Sequence, residues 1–194
     1  MARLDSTFDS SYAVEFLDGF SPGREVRRFY FPGASTVGGG DGLLVRVIPG
    51  QCEVDPWVGV FAWGGLSPKG ATGVFTCPDP DHLCVVARGA GYVVSAVDPS
   101  HHELLGVTPV MGVFPVAAAE LIIFADYLGL TAYGRDGRAW RTARLSWDGL
   151  QVVEISGEWI LGKGWSAPEN RHVDFAVDLR TGAHRGGASP PAGT

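Results

Sequence analysis

The sequence predicts an all-β protein made of repeated four-stranded antiparallel meanders, and three observations in its 194 residues carry that expectation. First, a unit of about thirty-eight residues is written three times between Gly73 and Gly187, and repeats of that size mean stacked supersecondary units. Its marks are GVFTC from Gly73, GVFPV from Gly112 and GLQVV from Gly149, each followed by a turn and then by LCVVA from Leu83, LIIFA from Leu121 or WILGK from Trp159. Second, each copy goes on to a further strand pattern that ends in an aspartate and a turn, SAVDPS at Asp98, AYGRDG at Asp136 and FAVDLRTG at Asp178. Third, 28 glycines and 13 prolines supply many tight turns, and the short apolar runs between them leave no room for helices of ordinary length.

Taken in order, residues 1–23 read as an N-terminal arm or a short helix, with SYAVEFLDGF capped by Ser11 and ended at Gly19, although a first strand fits the same residues. REVRRFYFPG alternates in part before Pro32 and Gly33 stop it, and STVGGGDG is a glycine-rich loop lacking the Lys-Ser/Thr of a phosphate-binding loop. LLVRVIPG and VDPWVGVFAWGG read as strands, so residues 24–70 are expected to hold a diverged unit without the aspartate turn. Regular units follow over 73–110, 111–148 and 149–188, giving one all-β repeat domain over 24–188, and 189–194 is expected to be a disordered tail. Turn-forming stretches such as RGAG, DYLG, GRDG, SWDG and LRTG separate the strands.

Four-stranded meanders repeated at about forty residues are the sequence sign of propeller blades, because a single such sheet cannot cover its own apolar faces. FAVDLRTG resembles the blades of quinoprotein-type β-propellers, in which an alternating strand ends in Asp-x-x-Thr-Gly; the third copy carries that motif and the other two carry its aspartate. The resemblance implies a small or irregular propeller-like arrangement. Stacked antiparallel sheets or a β-sandwich are the alternative, since three or four units fall short of the blades such a ring needs. No cofactor-contact residue of the quinoprotein enzymes carries over, and no cofactor is expected.

A net charge of −6 argues against a polyanion as general partner. The one basic cluster, Arg135, Arg138, Arg141 and Arg144 around Trp140, is split by strand alternation, which puts Arg138 and Arg144 on the tryptophan's face and Arg141 on the other. No window of eighteen apolar residues occurs and acids occupy the place of a signal peptide's apolar run, so a soluble, cytoplasmic protein without membrane contact is expected. Three cysteines, Cys52, Cys77 and Cys84, are too few and odd in number for a disulfide framework.

Candidate chemistry lies in three places. CPDPDHLC holds Cys77, His82 and Cys84 at a spacing that could take zinc, yet Cys77 aligns with Val116 and Val153 and Cys84 with Ile122 and Ile160, which are core positions in the other copies. Asp98, Asp136 and Asp178 recur in register, as Asx-type turn formers or as a ring of acids for a cation or basic partner. GWSAPENRH, with Trp165, Glu169, Asn170 and Arg171, is about four residues longer than its counterparts, and loops that outgrow their repeat commonly carry binding.

No catalytic set can be read. The expected function is a non-catalytic binding or interaction module for a protein or small ligand. The alternative is a hydrolase or a carbohydrate-active or metal-dependent enzyme that uses the turn aspartates. A homodimer formed through sheet edges is a further expectation, because an incomplete ring leaves edge strands uncovered.

Overall fold

The computed structural model describes residues 2–20, 26–32 and 42–188. The glycine-rich loop read in STVGGGDG, apart from Gly42, and the tail over 189–194 lie outside the described residues. In chain order the strands are β1 (Arg3–Asp5), β2 (Tyr12–Leu17), β3 (Arg27–Tyr30), β4 (Gly42–Pro49), β5 (Trp57–Ala62), β6 (Gly73–Thr76), β7 (His82–Ala87), β8 (Ala90–Ser95), β9 (His102–Leu104), β10 (Gly112–Val116), β11 (Leu121–Ala125), β12 (Leu130–Gly134), β13 (Gly137–Arg141), β14 (Leu150–Ser156), β15 (Trp159–Ser166), β16 (Arg171–Asp178) and β17 (His184–Gly186). Among the described residues there is no α-helix, only a 3-10 turn at Ala117–Ala119.

The strands form four open sheets, and the all-β, stacked-sheet expectation holds. A first sheet runs β2-β4-β5-β3 and a second β1-β6-β7-β8-β9; the third, β10 to β13, and the fourth, β14 to β17, are simple antiparallel meanders in sequence order. Each of the three regular repeats therefore supplies one four-stranded meander. The early residues depart from that plan. Tyr12–Leu17 is a strand and not a helix, paired antiparallel from Tyr12 with Pro49 to Leu17 with Leu44. Ser11 does not cap a helix; its backbone N–H donates to the Pro80 carbonyl and its hydroxyl to Asp81 Oδ1, so the backbone enters a sheet ladder. The diverged unit is also no meander, because β3 lies parallel to β5 and β2 flanks β4 on the other side.

The chain divides into two compact units, Met1–Val110 and Met111–Thr194. In the first unit, Tyr12, Phe31, Leu43, Val45, Val47, Trp57 and Phe61 of the first sheet and its borders meet Val74, Leu83, Val85, Tyr92 and Val94 of the second in one core. Phe31 and Phe61 stack with centroids 4.2 Å apart. In the second unit, Leu121, Ile123, Leu130, Ala132 and Trp140 of the third sheet meet Ile160, Phe175 and Val177 of the fourth, with Leu145 and Leu179. Residues two apart on each strand share these faces, as the pleat requires.

A repeated device joins the sheets within each unit. The buried Trp57 indole N–H donates to the Ala96 carbonyl at 2.8 Å, and the Trp140 indole N–H donates to the Leu179 carbonyl at 2.8 Å; each bond spans 39 residues. In both, a tryptophan of one sheet satisfies a carbonyl just past the third strand of the next meander. Gly182 completes the second instance. At φ +71° it takes a conformation suited to glycine, and a Cβ there would come within 2.8 Å of the Trp140 ring. The Asp-x-x-Thr-Gly turn thus serves as the seat of an indole from the preceding sheet.

Candidate functional site

The site is built on β15 and β16, the longest hairpin among the described residues. Both strands run eight residues, and their ladder extends unbroken from Trp159 opposite Asp178 to Ser166 opposite Arg171. The extra residues of GWSAPENRH therefore do not make an oversized loop. They lengthen the two strands and leave a four-residue turn, Ala167–Asn170, in which Asn170 takes the left-handed conformation at φ 49°. Asn170 tolerates that conformation better than most residues. Within the turn Glu169 Oε2 accepts from Arg171 Nε at 2.9 Å, and Ser166 Oγ donates to Glu169 Oε1 at 3.3 Å. Glu169, Asn170 and Arg171 are accounted for by this turn.

Alternation then decides what the long hairpin shows. Ile160, Phe175 and Val177 point into the core, so Trp159, Leu161, Lys163 and Trp165 of β15 lie on the opposite face, beside Asp178, Ala176, Asp174 and His172 of β16. A bulge between Val152 and Glu154 adds Val153 to this face, where it is 59% exposed next to Leu161 at 38%. A groove of about 480 Å³ crosses it, lined by Val153, Leu161, Lys163, Asp174, Ala176 and Arg185 among others. Small residues form its floor. Gly162 has no room for a side chain, since a Cβ would lie 2.2 Å from the Phe175 ring.

The charges of this face are interleaved. Lys163 Nζ pairs with Asp174 Oδ1 at 3.1 Å, the Arg185 guanidinium lies 5.3 Å over the Trp159 ring, and the His172 ring meets Trp165 edge-on at 5.2 Å. The result is an apolar stripe held between charges of both signs. Trp165 thus belongs to a sheet face and not to a loop tip. Its backbone is pinned by the Ser146 hydroxyl, which accepts from the Trp165 N–H at 2.9 Å.

The recurring aspartates occupy equivalent turns at the end of the third strand of each meander, and Asp98 and Asp178 each serve their own turn. Asp178 Oδ1 accepts from the Arg180 N–H at 3.0 Å, the Thr181 N–H at 2.8 Å and the Thr181 hydroxyl at 2.9 Å, and the threonine bonds, first the hydroxyl's, hold its carboxyl below the usual range. Asp98 does the same with the Ser100 hydroxyl at 2.6 Å and N–H at 3.1 Å, again lowering the carboxyl value. Asp136 sits in the exposed turn between β12 and β13. Among the described residues no hydrogen bond or ion pair joins any two of the three. Asp126 is an acid the repeat pattern did not single out. Nearly buried, it accepts from the N–H groups of Leu128 and Gly129, both at 2.7 Å, and lies 3.4 Å from Arg141.

Cys77 and Cys84 are buried, and His82 turns its Nδ1 to Asp79 Oδ2 at 2.9 Å. Burial, and then the nearby Asp79, pushes the Cys77 thiol up to about 12, while burial raises that of Cys84. Both thiols stay protonated at neutral pH, a poor state for a ligand or nucleophile. Among the described residues no group of three or more His, Cys, Asp or Glu side chains is placed to hold a metal ion. The arginine cluster is divided further than alternation alone implies. A bulge in β13 sets Arg138 opposite Tyr133 and Trp140 opposite Ala132, so Arg138 does not share the face of the buried Trp140, and Arg144 lies over Trp147 at 4.8 Å.

Two smaller cavities lie elsewhere among the described residues. One of about 360 Å³ lies between the 3-10 turn and the turns at Gly157–Glu158 and Asp178–Arg180; another of about 230 Å³ lies beside Asp5, Tyr12 and Thr76. Asp5 is already engaged by Arg3 and Thr7. Among the described residues no helix is long and apolar enough to cross a membrane. No protein-family model matches the sequence, and no curated protein matches it.

Proposed function

We propose that the protein is a non-catalytic binding module whose binding surface is the solvent face of the fourth sheet. One observation carries the reading: β15, a strand lengthened beyond its repeat, presents Trp159, Leu161, Lys163 and Trp165 in a single row, and the middle two line a groove of about 480 Å³. Aromatic anchors beside charged groups are the composition of interaction surfaces, and the rigid ladder beneath them limits the entropy lost on binding. Asp98 and Asp178 support the scaffold through their turns, and His82, Glu169 and Arg171 are engaged in structural bonds.

Leu161→Asp puts a charge into the stripe without touching the core. We expect the variant to keep its thermal transition within about 1 kcal/mol of the parent's stability, as surface substitutions do, and to lose most of the fluorescence enhancement of an added apolar dye together with its captured partners. Unchanged dye binding and unchanged capture in Leu161→Asp and Trp165→Ala would sink the reading.

A further inference from the structure

We infer that the occupant of this face is a second copy of the same chain, docked sheet on sheet about a twofold axis parallel to β15 and β16 and midway between them. The inference rests on the binding reading above and names its partner. Such an axis lays each β15 residue of one copy over the β16 residue that stands opposite it in the ladder. The observed pairs are Trp159 with Asp178, Leu161 with Ala176, Lys163 with Asp174 and Trp165 with His172. Every pair matches a large side chain to a smaller one, or a cation to an anion. Leu161 of one copy enters the hollow over Ala176 of the other, and the Lys163–Asp174 pair of each copy meets that of the other as an alternating quartet of charges. A twofold contact demands that one patch be its own complement.

Charge selects the same occupant. The chain carries −6 in total, yet this face interleaves Lys163 and Arg185 with Glu154, Asp174 and Asp178. A patch without a dominant sign does not steer a strongly charged partner, whereas it fits a copy of itself turned by half a revolution. Strands that stay nearly aligned across the contact also match how sheets stack in sandwiches. Four strands of up to eight residues present about 500 Å² from each copy, so a dimer would bury about 1,000 Å² in all. That lies at the lower end of specific interfaces and predicts a dimer that dissociates at micromolar concentrations.

Sedimentation equilibrium of the full chain over low- to high-micromolar concentrations tests this. The expected result is a mass that climbs from 20.5 kDa toward twice that value. Lys163→Asp alone and Asp174→Lys alone should each weaken association at least about tenfold, and an equimolar mixture of the two should restore a dimer, because each acidic face then meets a basic one. Circular dichroism of each variant checks that the sheets persist, and Leu161→Asp supplies a second disruption that does not depend on the ion pair. A parent protein that stays monomeric throughout overturns the inference; if Leu161→Asp then still abolishes dye binding and capture, the binding reading stands with another partner. A dimer untouched by Leu161→Asp and by both reversals also overturns it, placing self-association elsewhere.

Discussion

At the residue scale, neighbours decide between chemistry and structure for side chains that look alike in sequence. Cys77 and Cys84 sit in a ligand-like string, but each takes the place of an apolar residue in the other copies, and burial keeps both protonated. Tyr12 shares their surroundings: burial first, then the two thiols and Asp79, raises its hydroxyl well above the ordinary phenol value, while that hydroxyl donates to the His82 carbonyl at 2.9 Å. Cys52 alone is exposed. A thiol reagent at neutral pH should therefore label one cysteine per native chain quickly and the other two only on unfolding; rapid labelling of all three in the native protein would contradict the burial. The same groups set a pH limit. Folding raises the Cys77 thiol from 9.0 to about 12, so the folded state keeps a proton that the unfolded chain releases. The stabilisation is complete below about pH 9 and is lost as pH rises toward 12, so melting temperature should fall over that interval.

At the element scale, the long hairpin shows how one strand is shaped for two faces. Gly162 leaves room for the Phe175 ring inside while Leu161 and Lys163 reach outward. Gly162→Ala would press a Cβ to within 2.2 Å of that ring and 2.4 Å of the Gln151 carbonyl. Overpacking of this kind costs about 1–3 kcal/mol, which for a chain of this length lowers the melting temperature by several degrees; an unaltered melt would mean that the ring moves aside freely. The repeat itself was legible because the three regular meanders pair with sequence neighbours, where alternation and turn residues suffice. Pairings between distant segments were not. β1 joins β6 and β3 joins β5, both parallel, and nothing local to Arg3–Asp5 or Arg27–Tyr30 announces a partner tens of residues away. Bulges were equally silent: Val153 aligns with the buried Cys77, yet one inserted residue turns it to solvent. The excess length of GWSAPENRH was visible, but length alone cannot say whether added residues extend a loop or a ladder.

At the scale of the whole molecule, the chain solves one problem twice. Each unit closes its core between two sheets, and each uses an indole to satisfy a carbonyl of the next sheet across 39 residues. The sequence put Trp57 in an apolar strand but set Trp140 among arginines, because a docking tryptophan and an exposed one have the same letter and the carbonyl it seeks lies in the following repeat. If these bonds tie sheets together within their own units, the units should respond to their loss separately, since the two cores share no residue. Trp140→Phe keeps most of the buried ring and leaves the Leu179 carbonyl unpaired, a loss of about 1–3 kcal/mol. By hydrogen exchange, strands β10 to β17 should then open about 5- to 150-fold more often while β1 to β9 keep their protection. Trp57→Phe should give the converse, with faster exchange confined to the first two sheets. Acceleration spread evenly over all four sheets by either substitution would show that the chain opens as one cooperative body and that the two indoles brace the whole molecule.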